Sequence, residues 1–339
     1  MRLLYSVVVV AWALLQPAVA AAQSQPSTEL FDGLKVVKGI SIDRETCARL
    51  EREQTAVWVE ADGDAQCLRY YAFGLDPRRP NPRAVGWMHG DVVGGPESIR
   101  ARHQDGLGVT SMIDQMRRLS ERYSAPFVFI ARPGAYGSSG KHEPTTSTRH
   151  EAALVRAQMD AISRRYRVGE WVLAGHSGGG TMVAEMLNRG VSLRCLVVSS
   201  GAPAHDAYMR AKWALSPKSK AEDQKAAAEQ FAAALAHFDL NPVADLGQVL
   251  PRPGLRVFVL ADPRDETVPV QAQRVYYDAL RQRGIDASFV ELEKAAPPNH
   301  HSLVDHAENA AGLCVQGAPT QQIISTLRQM PDQADRISN

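Results

Sequence analysis

A turn from a buried strand into a helix, centred on Ser177, constrains this chain more than any other feature. Residues 171–174 are apolar, small residues follow, and a helical pattern covers about residues 181–188. Gly175 and Gly179 flank the serine at the spacing G-x-S-x-G. A nucleophile on such a turn needs strained backbone angles and neighbours without side chains, and the next helix offers free N–H groups to a developing negative charge. The pattern predicts a nucleophilic serine; the alternative is a glycine-rich turn with a serine N-cap.

The chain on both sides of this turn alternates between strands and helices. Two β-rich segments, at 55–60 and 67–73, are separated by a turn at Gly63 and predict an antiparallel hairpin. Periodic apolar positions predict helices over 106–123 and 147–166. Continuous apolar runs predict six further strands, at 84–88, 127–130, 171–174, 193–198, 255–260 and 287–292. Such runs indicate strands buried on both faces, so we expect a mostly parallel eight-stranded sheet with helices on both faces.

A serine, an acid and a histidine each follow a different predicted strand. Asp262 and Asp265 come after the seventh strand. His300 and His301 come after the eighth. Because ligand sites in open α/β sheets lie beyond the carboxyl ends of the strands, these loops can converge on Ser177. A histidine can then take the serine proton while a carboxylate fixes the tautomer of the imidazole.

These motifs resemble the α/β-hydrolase superfamily. The resemblance is carried by residues 175–179, 265–269 and 301–303. It implies the α/β-hydrolase fold, with Ser177 as nucleophile, Asp265 as the acid and His301 as the base. Asp262 remains the competing acid, and His300 the competing base.

The resemblance also implies an oxyanion hole. His89 and Gly90 follow the third predicted strand. In similar enzymes a backbone N–H just after such a pair stabilises the oxyanion, which here implies Asp91 or Val92. Its partner would be the N–H of Gly178, since two preorganised donors suit the charge on a carbonyl oxygen. A carboxylate at Asp91 departs from the usual residues and would repel an anionic substrate.

Other motifs add scaffold or exclude cofactors. Residues 131–140 resemble a stretch that packs beside the site in the superfamily, with Tyr136 as a candidate pocket wall. His300, His301, Asp305 and His306 lie close together in the sequence. Only some of them would share one face of a helix, so no metal site is expected. The glycine-rich runs lack phosphate-loop and dinucleotide spacing, so no cofactor is implied.

The N-terminal residues have the character of a targeting segment. Arg2 precedes an apolar run over residues 3–15, and two small-residue cleavage sites follow. We therefore expect residues 1–22 to be a secretory signal peptide, with an uncleaved anchor as the alternative. Residues 23–54 form an N-terminal extension, whose polar first part, 23–35, we expect to be flexible.

The hydrolase-like domain covers residues 55–339, the part of the chain that carries the resemblance. Residues 204–250 lack a convincing strand and include an Ala-rich helical pattern around residues 221–238. An insertion of this kind between two core strands predicts a small helical cap over the site, with a solvated connector as the alternative.

Charge and cysteine content limit the classes of partner and the cellular compartment that we expect. A formal net charge of +1 over 339 residues gives no electrostatic case for nucleic acid or an anionic membrane surface. In a secreted or periplasmic protein a Cys47–Cys67 disulfide is expected, and a Cys195–Cys314 disulfide is left open.

The sequence thus predicts a serine hydrolase without a membrane span after cleavage of the signal peptide. A small-molecule carboxylic ester is the expected substrate. Amide cleavage uses the same acyl-enzyme route, so a peptidase for short peptides is an alternative. A non-catalytic binding protein with this fold is a second alternative, and the sequence indicates no oligomeric state.

Overall fold

The computed structural model describes residues 29–92, 104–215 and 239–332, together with residues 226, 229 and 232. The expected signal peptide, residues 1–22, lies outside the described residues. Most of the helix expected around residues 221–238 also lies outside them, and the three single residues described within that segment are helical.

The expected eight-stranded sheet forms. Its strands are β1 Ala56–Ala61, β2 Asp64–Phe73, β3 Asn81–Met88, β4 Phe127–Ile130, β5 Val168–His176, β6 Leu193–Ser199, β7 Arg256–Ala261 and β8 Ala287–Glu291. Their order across the sheet is β1-β2-β4-β3-β5-β6-β7-β8. Only β2 runs antiparallel to its neighbours β1 and β4, and the other pairs are parallel. The predicted mostly parallel sheet is confirmed.

The register brings three strand ends to one level. Gly175 of β5 pairs with Met88 of β3 on one side and with Val198 of β6 on the other. The loops after these strands therefore leave the sheet together. At one edge of the sheet, the β1–β2 hairpin turns at Asp62 and Gly63. Their φ angles of 52° and 78° suit a tight hairpin turn.

Helices cover both faces of the sheet. Along β5, Trp171 and Leu173 belong to one buried apolar cluster, and Val172 and Ala174 belong to another. Because neighbouring residues of a strand point to opposite faces, the two clusters are the two sides of the sheet. The helices are α1 Gly33–Lys38, α2 Arg44–Arg52, α3 Val109–Tyr123, α4 His142–Thr145, α5 Arg149–Tyr166, α6 Gly178–Asn188, α7 His205–Leu215, α8 Pro242–Asp245, α9 Val270–Gln282, α10 Val304–Val315 and α11 Thr320–Gln329.

The expectation that residues 23–35 are flexible is wrong for their described part. Phe31 is buried against the rings of Tyr71 and Tyr136, and its N–H donates to the carbonyl of Leu107 at 2.7 Å. Asp32 caps α1 by accepting from the N–H of Leu34 at 2.8 Å. The burial of Phe31 and backbone hydrogen bonds to the 104–109 segment thus fix these polar residues on the domain.

Both cysteine pairs form disulfides. Cys47 of α2 is bonded to Cys67 of β2, with 5.7 Å between the Cα atoms. Cys195 of β6 is bonded to Cys314 of α10, with 6.5 Å between the Cα atoms. Both separations lie in the ordinary range for disulfides. The expected first pairing is confirmed, and the second, which the sequence left open, also occurs.

The described part of the 204–250 insertion is helical. It contains α7, α8 and a short 3-10 turn, and it has no strand among its described residues. α7 packs against α9, and Lys212 Nζ donates to the carbonyl of Glu266 at 3.1 Å. This contact fixes the insertion beside the loop that carries Asp265. Across the described ranges, none of the helices combines the length and apolar character that a membrane crossing requires.

The Cys47–Cys67 disulfide should contribute measurably to stability. It closes a loop of 20 residues, for which the lost loop entropy of the unfolded chain is worth about 3 kcal/mol. We expect the double variant Cys47→Ala/Cys67→Ala to lower the free energy of urea unfolding by about that amount. Oxidised wild type is the control, and an unchanged free energy of unfolding would contradict the prediction.

Candidate active site

Ser177 lies at the junction of β5 and α6 in a strained conformation. Its φ and ψ angles are 55° and −124°, and its N–H donates to the carbonyl of Ser199 at 2.9 Å. A residue with a side chain rarely takes a positive φ, and such outliers persist where the surrounding structure fixes them. The turn therefore holds the serine side chain at the carboxyl edge of the sheet, as a nucleophile requires.

Glycines make this turn sterically feasible. A Cβ atom on Gly179 would overlap the carbonyl oxygens of Met88 and His89, and one on Gly175 would overlap the carbonyl of Gly179. α6 therefore packs directly on the backbone that follows β3. The G-x-S-x-G spacing follows from these contacts, because no larger residue fits at either position.

His301 and Asp265 are joined by a hydrogen bond. His301 Nδ1 lies 2.9 Å from Oδ2 and 3.1 Å from Oδ1 of Asp265. The Asp265 side chain is fully buried, and its Oδ1 also accepts from the N–H groups of Thr267 and Val268, both at 2.8 Å. The carboxylate is thus fixed by its own loop and in turn orients the imidazole of His301.

The other ring nitrogen of His301 is available as a base. Nε2 is buried and makes no hydrogen bond to any described residue. Because Nδ1 donates to a carboxylate, Nε2 of the neutral ring carries the lone pair. The His301 ring packs against the ring of His176 with 4.8 Å between centroids, and His176 directly precedes Ser177. The structure thus brings the histidine to the serine turn.

The competing acid and base have other partners. Asp262 accepts from Arg264 Nη2 at 2.8 Å and from the N–H of Ala295 at 3.0 Å. Burial opposes ionisation of Asp262, but the hydrogen bonds from Arg264 outweigh it and lower the pKa. His300 Nδ1 donates to the carbonyl of Ala295 at 2.9 Å. Asp262 thus holds the loops after β7 and β8 together, and Asp265, rather than Asp262, is the acid that is bonded to His301.

The two residues expected to form the oxyanion hole lie side by side at the serine turn. A Cβ atom on Gly90 would come within 3.2 Å of Ser177 Cβ, so the loop after β3 touches the turn. A Cβ atom on Gly178 would overlap the carboxylate of Asp91. Val92, the alternative donor, is buried with Val36 and Ala135. Their roles as oxyanion donors stay a prediction.

A buried arginine beneath this loop was not singled out from the sequence. Arg132 follows β4 and is completely buried. Its guanidinium donates to Glu151 at 2.8 and 3.0 Å, to Asp91 Oδ1 at 2.7 Å, to Thr146 at 2.7 Å and to the carbonyl of His89 at 3.2 Å. Every donor of the fork is used, so Arg132 ties the loop after β3 to α5. A sequence signal existed, since an arginine directly after an apolar strand and before a proline needs buried acceptors.

Ionisation in this cluster is set by opposing effects. Burial alone would raise the pKa of Asp91, but Arg132, His142 and Thr146 lower it to about 2. Burial likewise opposes the charge of Arg132, and Glu151 and Asp91 raise its pKa. Asp91 is therefore an anion throughout the physiological pH range.

His89 is a structural, neutral histidine. Its Nδ1 donates to the carbonyl of Gly90 at 2.7 Å, and its Nε2 accepts from the N–H of Arg132 at 3.1 Å. Burial, reinforced by the charge of Arg132, lowers its pKa well below the usual value. Tyr136 packs on His89 with 4.6 Å between ring centroids, so it lies near the loop, and its role as a pocket wall stays a prediction. Within the described residues no three His, Cys, Asp or Glu side chains are grouped to hold a metal ion.

Comparison with solved structures supports the fold. The structure of the esterase Pf2001 from Pyrococcus furiosus matches with a TM-score of 0.51 at 11% identity, covering 87% of this chain and 99% of that one. The acylaminoacyl peptidase of Pyrococcus horikoshii matches with a TM-score of 0.50 at 11% identity, covering 83% of this chain. This chain spans only 42% of that peptidase. The chain has the α/β-hydrolase fold, as the resemblance of its motifs implied.

The other comparisons add no relative. No protein-family model matches the sequence, and a search of curated proteins finds no match. The assignment of the fold therefore rests on the similarity to solved structures, and the interpretation of the site rests on the residues of this chain.

The close packing at Gly179 can be tested by substitution. We expect Gly179→Ala to destabilise the protein by about 3 kcal/mol or to prevent folding, because the added methyl meets fixed backbone oxygens. Gly247→Ala is the matched control, since the exposed Gly247 has only the end of the Arg283 side chain near it. Urea unfolding of both variants gives the comparison, and equal stability would show that α6 and β3 are not in direct backbone contact.

Proposed function

We propose that this protein is a serine hydrolase that cleaves a small or medium carboxylic ester through an acyl-enzyme intermediate. The observation that carries the proposal is the His301–Asp265 hydrogen bond, formed beside a serine held at positive φ. This is the arrangement that converts a weak hydroxyl nucleophile into a reactive one. The proposal assigns Ser177 as nucleophile, His301 as base and Asp265 as the orienting acid.

The proposed reaction has two steps, acylation and deacylation. His301 Nε2 takes the proton of Ser177 as its Oγ bonds to the substrate carbonyl carbon, and the oxyanion is stabilised by the N–H groups of Asp91 and Gly178. His301 returns the proton to the leaving alcohol as the ester C–O bond breaks. A water molecule, deprotonated by His301, then attacks the acyl-serine, and the acid product leaves with Ser177 restored.

A peptidase for short peptides is the second candidate. Amide and ester cleavage share the same intermediates, so the residues above serve both. The anionic Asp91 beside the serine turn favours this candidate, because a terminal ammonium of a peptide would have a partner there. The structural likeness includes a protein named an esterase and one named a peptidase, so it does not separate the two.

The same proposal includes export and a cap. We propose that residues 1–22 are a cleaved signal peptide, that residues 23–54 are an N-terminal extension, and that residues 204–250 cap the domain spanning 55–339. The two disulfides are compatible with an extracellular or periplasmic location. The contact of Lys212 with the loop of Asp265 supports the cap.

The activated serine can be tested directly. We expect a fluorophosphonate probe to label the mature wild-type protein and not Ser177→Ala, because only a deprotonated serine attacks the phosphorus. Ser199→Ala is the matched serine control and should still be labelled, because the Ser199 hydroxyl is buried and donates to the carbonyl of Leu303 at 3.4 Å. If the folded wild-type protein stays unlabelled, the serine is not activated, and the alternative of a non-catalytic binding protein is favoured.

The acid and base can be assigned with paired variants. We expect Asp265→Asn to lower kcat by about 10⁴-fold, because the amide no longer fixes the imidazole tautomer. Asp262→Asn should lower stability and retain most of the activity, because Asp262 bonds to Arg264 and Ala295 instead. In the same assay His301→Ala should abolish turnover and His300→Ala should not. The reverse pattern in either pair would overturn that assignment.

A further inference from the structure

The carboxylate of Asp91 lies against the serine turn, and one of its oxygens accepts no hydrogen bond from the described residues. We propose that Asp91 determines substrate specificity by binding an ammonium group, so that the site takes α-aminoacyl esters or amides. The proposal rests on the proposed function in one respect, since it assumes that Ser177 attacks the carbonyl of the same substrate.

The two oxygens of Asp91 have different surroundings. Oδ1 accepts from Arg132 Nη1 and from Thr146 Oγ1, both at 2.7 Å. Oδ2 accepts no hydrogen bond from any described residue. The side chain is 24% exposed, although Arg132 beneath it is completely buried. Oδ1 thus anchors the side chain, and Oδ2, which is also close to Gly178, keeps its capacity to accept a hydrogen bond.

The position of the carboxylate relates it to the reacting atoms. It lies directly against the Cα of Gly178, where a side chain at position 178 would otherwise project. Gly178 is the first residue of α6 and follows Ser177, so the carboxylate is next to the atoms that would hold the oxyanion. An ammonium on Asp91 would therefore lie beside the carbonyl that Ser177 attacks.

The charge of the surrounding cluster favours a cationic ligand. Arg132 is shared by two carboxylates, those of Asp91 and Glu151, so these three groups have a formal charge of −1. Burial and the charge of Arg132 lower the pKa of both His89 and His142, which favours the neutral form of each ring. His142 donates from Nδ1 to the carbonyl of Pro133, and its buried Nε2 accepts no hydrogen bond from the described residues. Among the described residues, the cluster therefore has a net negative charge and a carboxylate oxygen that accepts no hydrogen bond.

An α-ammonium group supplies a positive charge and a hydrogen-bond donor. It is bonded to the carbon that carries the reacting carbonyl, so it reaches Asp91 when the carbonyl is at Ser177. A carboxylate this close to the oxyanion hole opposes the negative charge of the transition state, and a cation between them removes that opposition. A neutral acyl group leaves the repulsion in place, and an anionic one increases it.

Three methyl esters of matched shape test the proposal. Alanine methyl ester, methyl isobutyrate and monomethyl methylmalonate place an ammonium, a methyl and a carboxylate on the same carbon. At about pH 6.5 the amino ester is mostly protonated. We expect wild-type kcat/KM to be about tenfold higher for the alanine ester than for the isobutyrate, and lowest for the methylmalonate, as a charge-assisted hydrogen bond of ordinary strength requires.

Asp91→Asn is the decisive variant. The asparagine oxygen still accepts from Arg132 and Thr146, so the anchor is kept while the negative charge is lost. We expect the alanine-to-isobutyrate ratio to fall to about one, a tenfold loss of selectivity. Ratios within one protein cancel any change in the oxyanion hole that affects all three esters. A ratio that Asp91→Asn leaves unchanged, or three esters cleaved equally by wild type, overturns the proposal.

Binding gives a readout that needs no turnover and no Asp91 variant. With Ser177→Ala, we expect calorimetry to detect alaninamide and to give at least about tenfold weaker binding of isobutyramide. Equal binding of the two amides overturns the proposal. If the fluorophosphonate probe fails to label wild type but alaninamide binds selectively, the hydrolase function fails and the ammonium site stands. If the probe labels wild type but alaninamide and isobutyramide bind equally, the hydrolase function stands and the ammonium site fails.

Discussion

The direct contact between α6 and the backbone after β3 is the constraint on which the rest of the structure depends. Because Gly179 lies against the carbonyls of Met88 and His89, the helix starts closer to the sheet than any side chain would permit. That closeness forces the chain to reverse within one residue, and the strain falls on Ser177 at positive φ. The same contact brings the loop after β3 to the serine. The conformation of Ser177 and the position of the loop after β3 thus follow from one steric condition.

Hydrogen bonds of Arg132 and Asp265 fix the charged groups that surround the serine turn. Arg132 joins the loop of Asp91 to α5 and uses every donor of its guanidinium, which fixes the position of both segments. Asp265 is fixed in a different way, by two N–H groups of its own loop. The acid side of the site is therefore local in sequence, and the oxyanion side depends on contacts between distant segments.

This difference explains what the sequence could predict. Eight strands and the long helices follow from apolar periodicity, and the placement of Asp265 and His301 follows from strand ends that share one edge. The N-terminal segment was misjudged because its polar composition conceals one anchoring residue, Phe31, whose burial depends on Tyr71 and Tyr136 far along the chain. The partners of Arg132 cannot be predicted from its own neighbourhood, because Asp91 and Glu151 lie far from it in the sequence and reach it only in the folded structure. Pairings between distant residues leave little trace in local sequence.

The Cys195–Cys314 disulfide has a consequence for the integrity of the chain. It spans 119 residues, and Asp265 and His301 both lie inside the loop that it closes, whereas Ser177 lies outside. A single proteolytic cut anywhere between the two cysteines therefore releases no fragment. The nicked molecule becomes a two-chain protein, with the serine on one polypeptide and the histidine on the other or on the same one, depending on the cut. Both halves remain covalently joined through β6 and α10, so a nicked molecule keeps its two polypeptides together under nonreducing conditions.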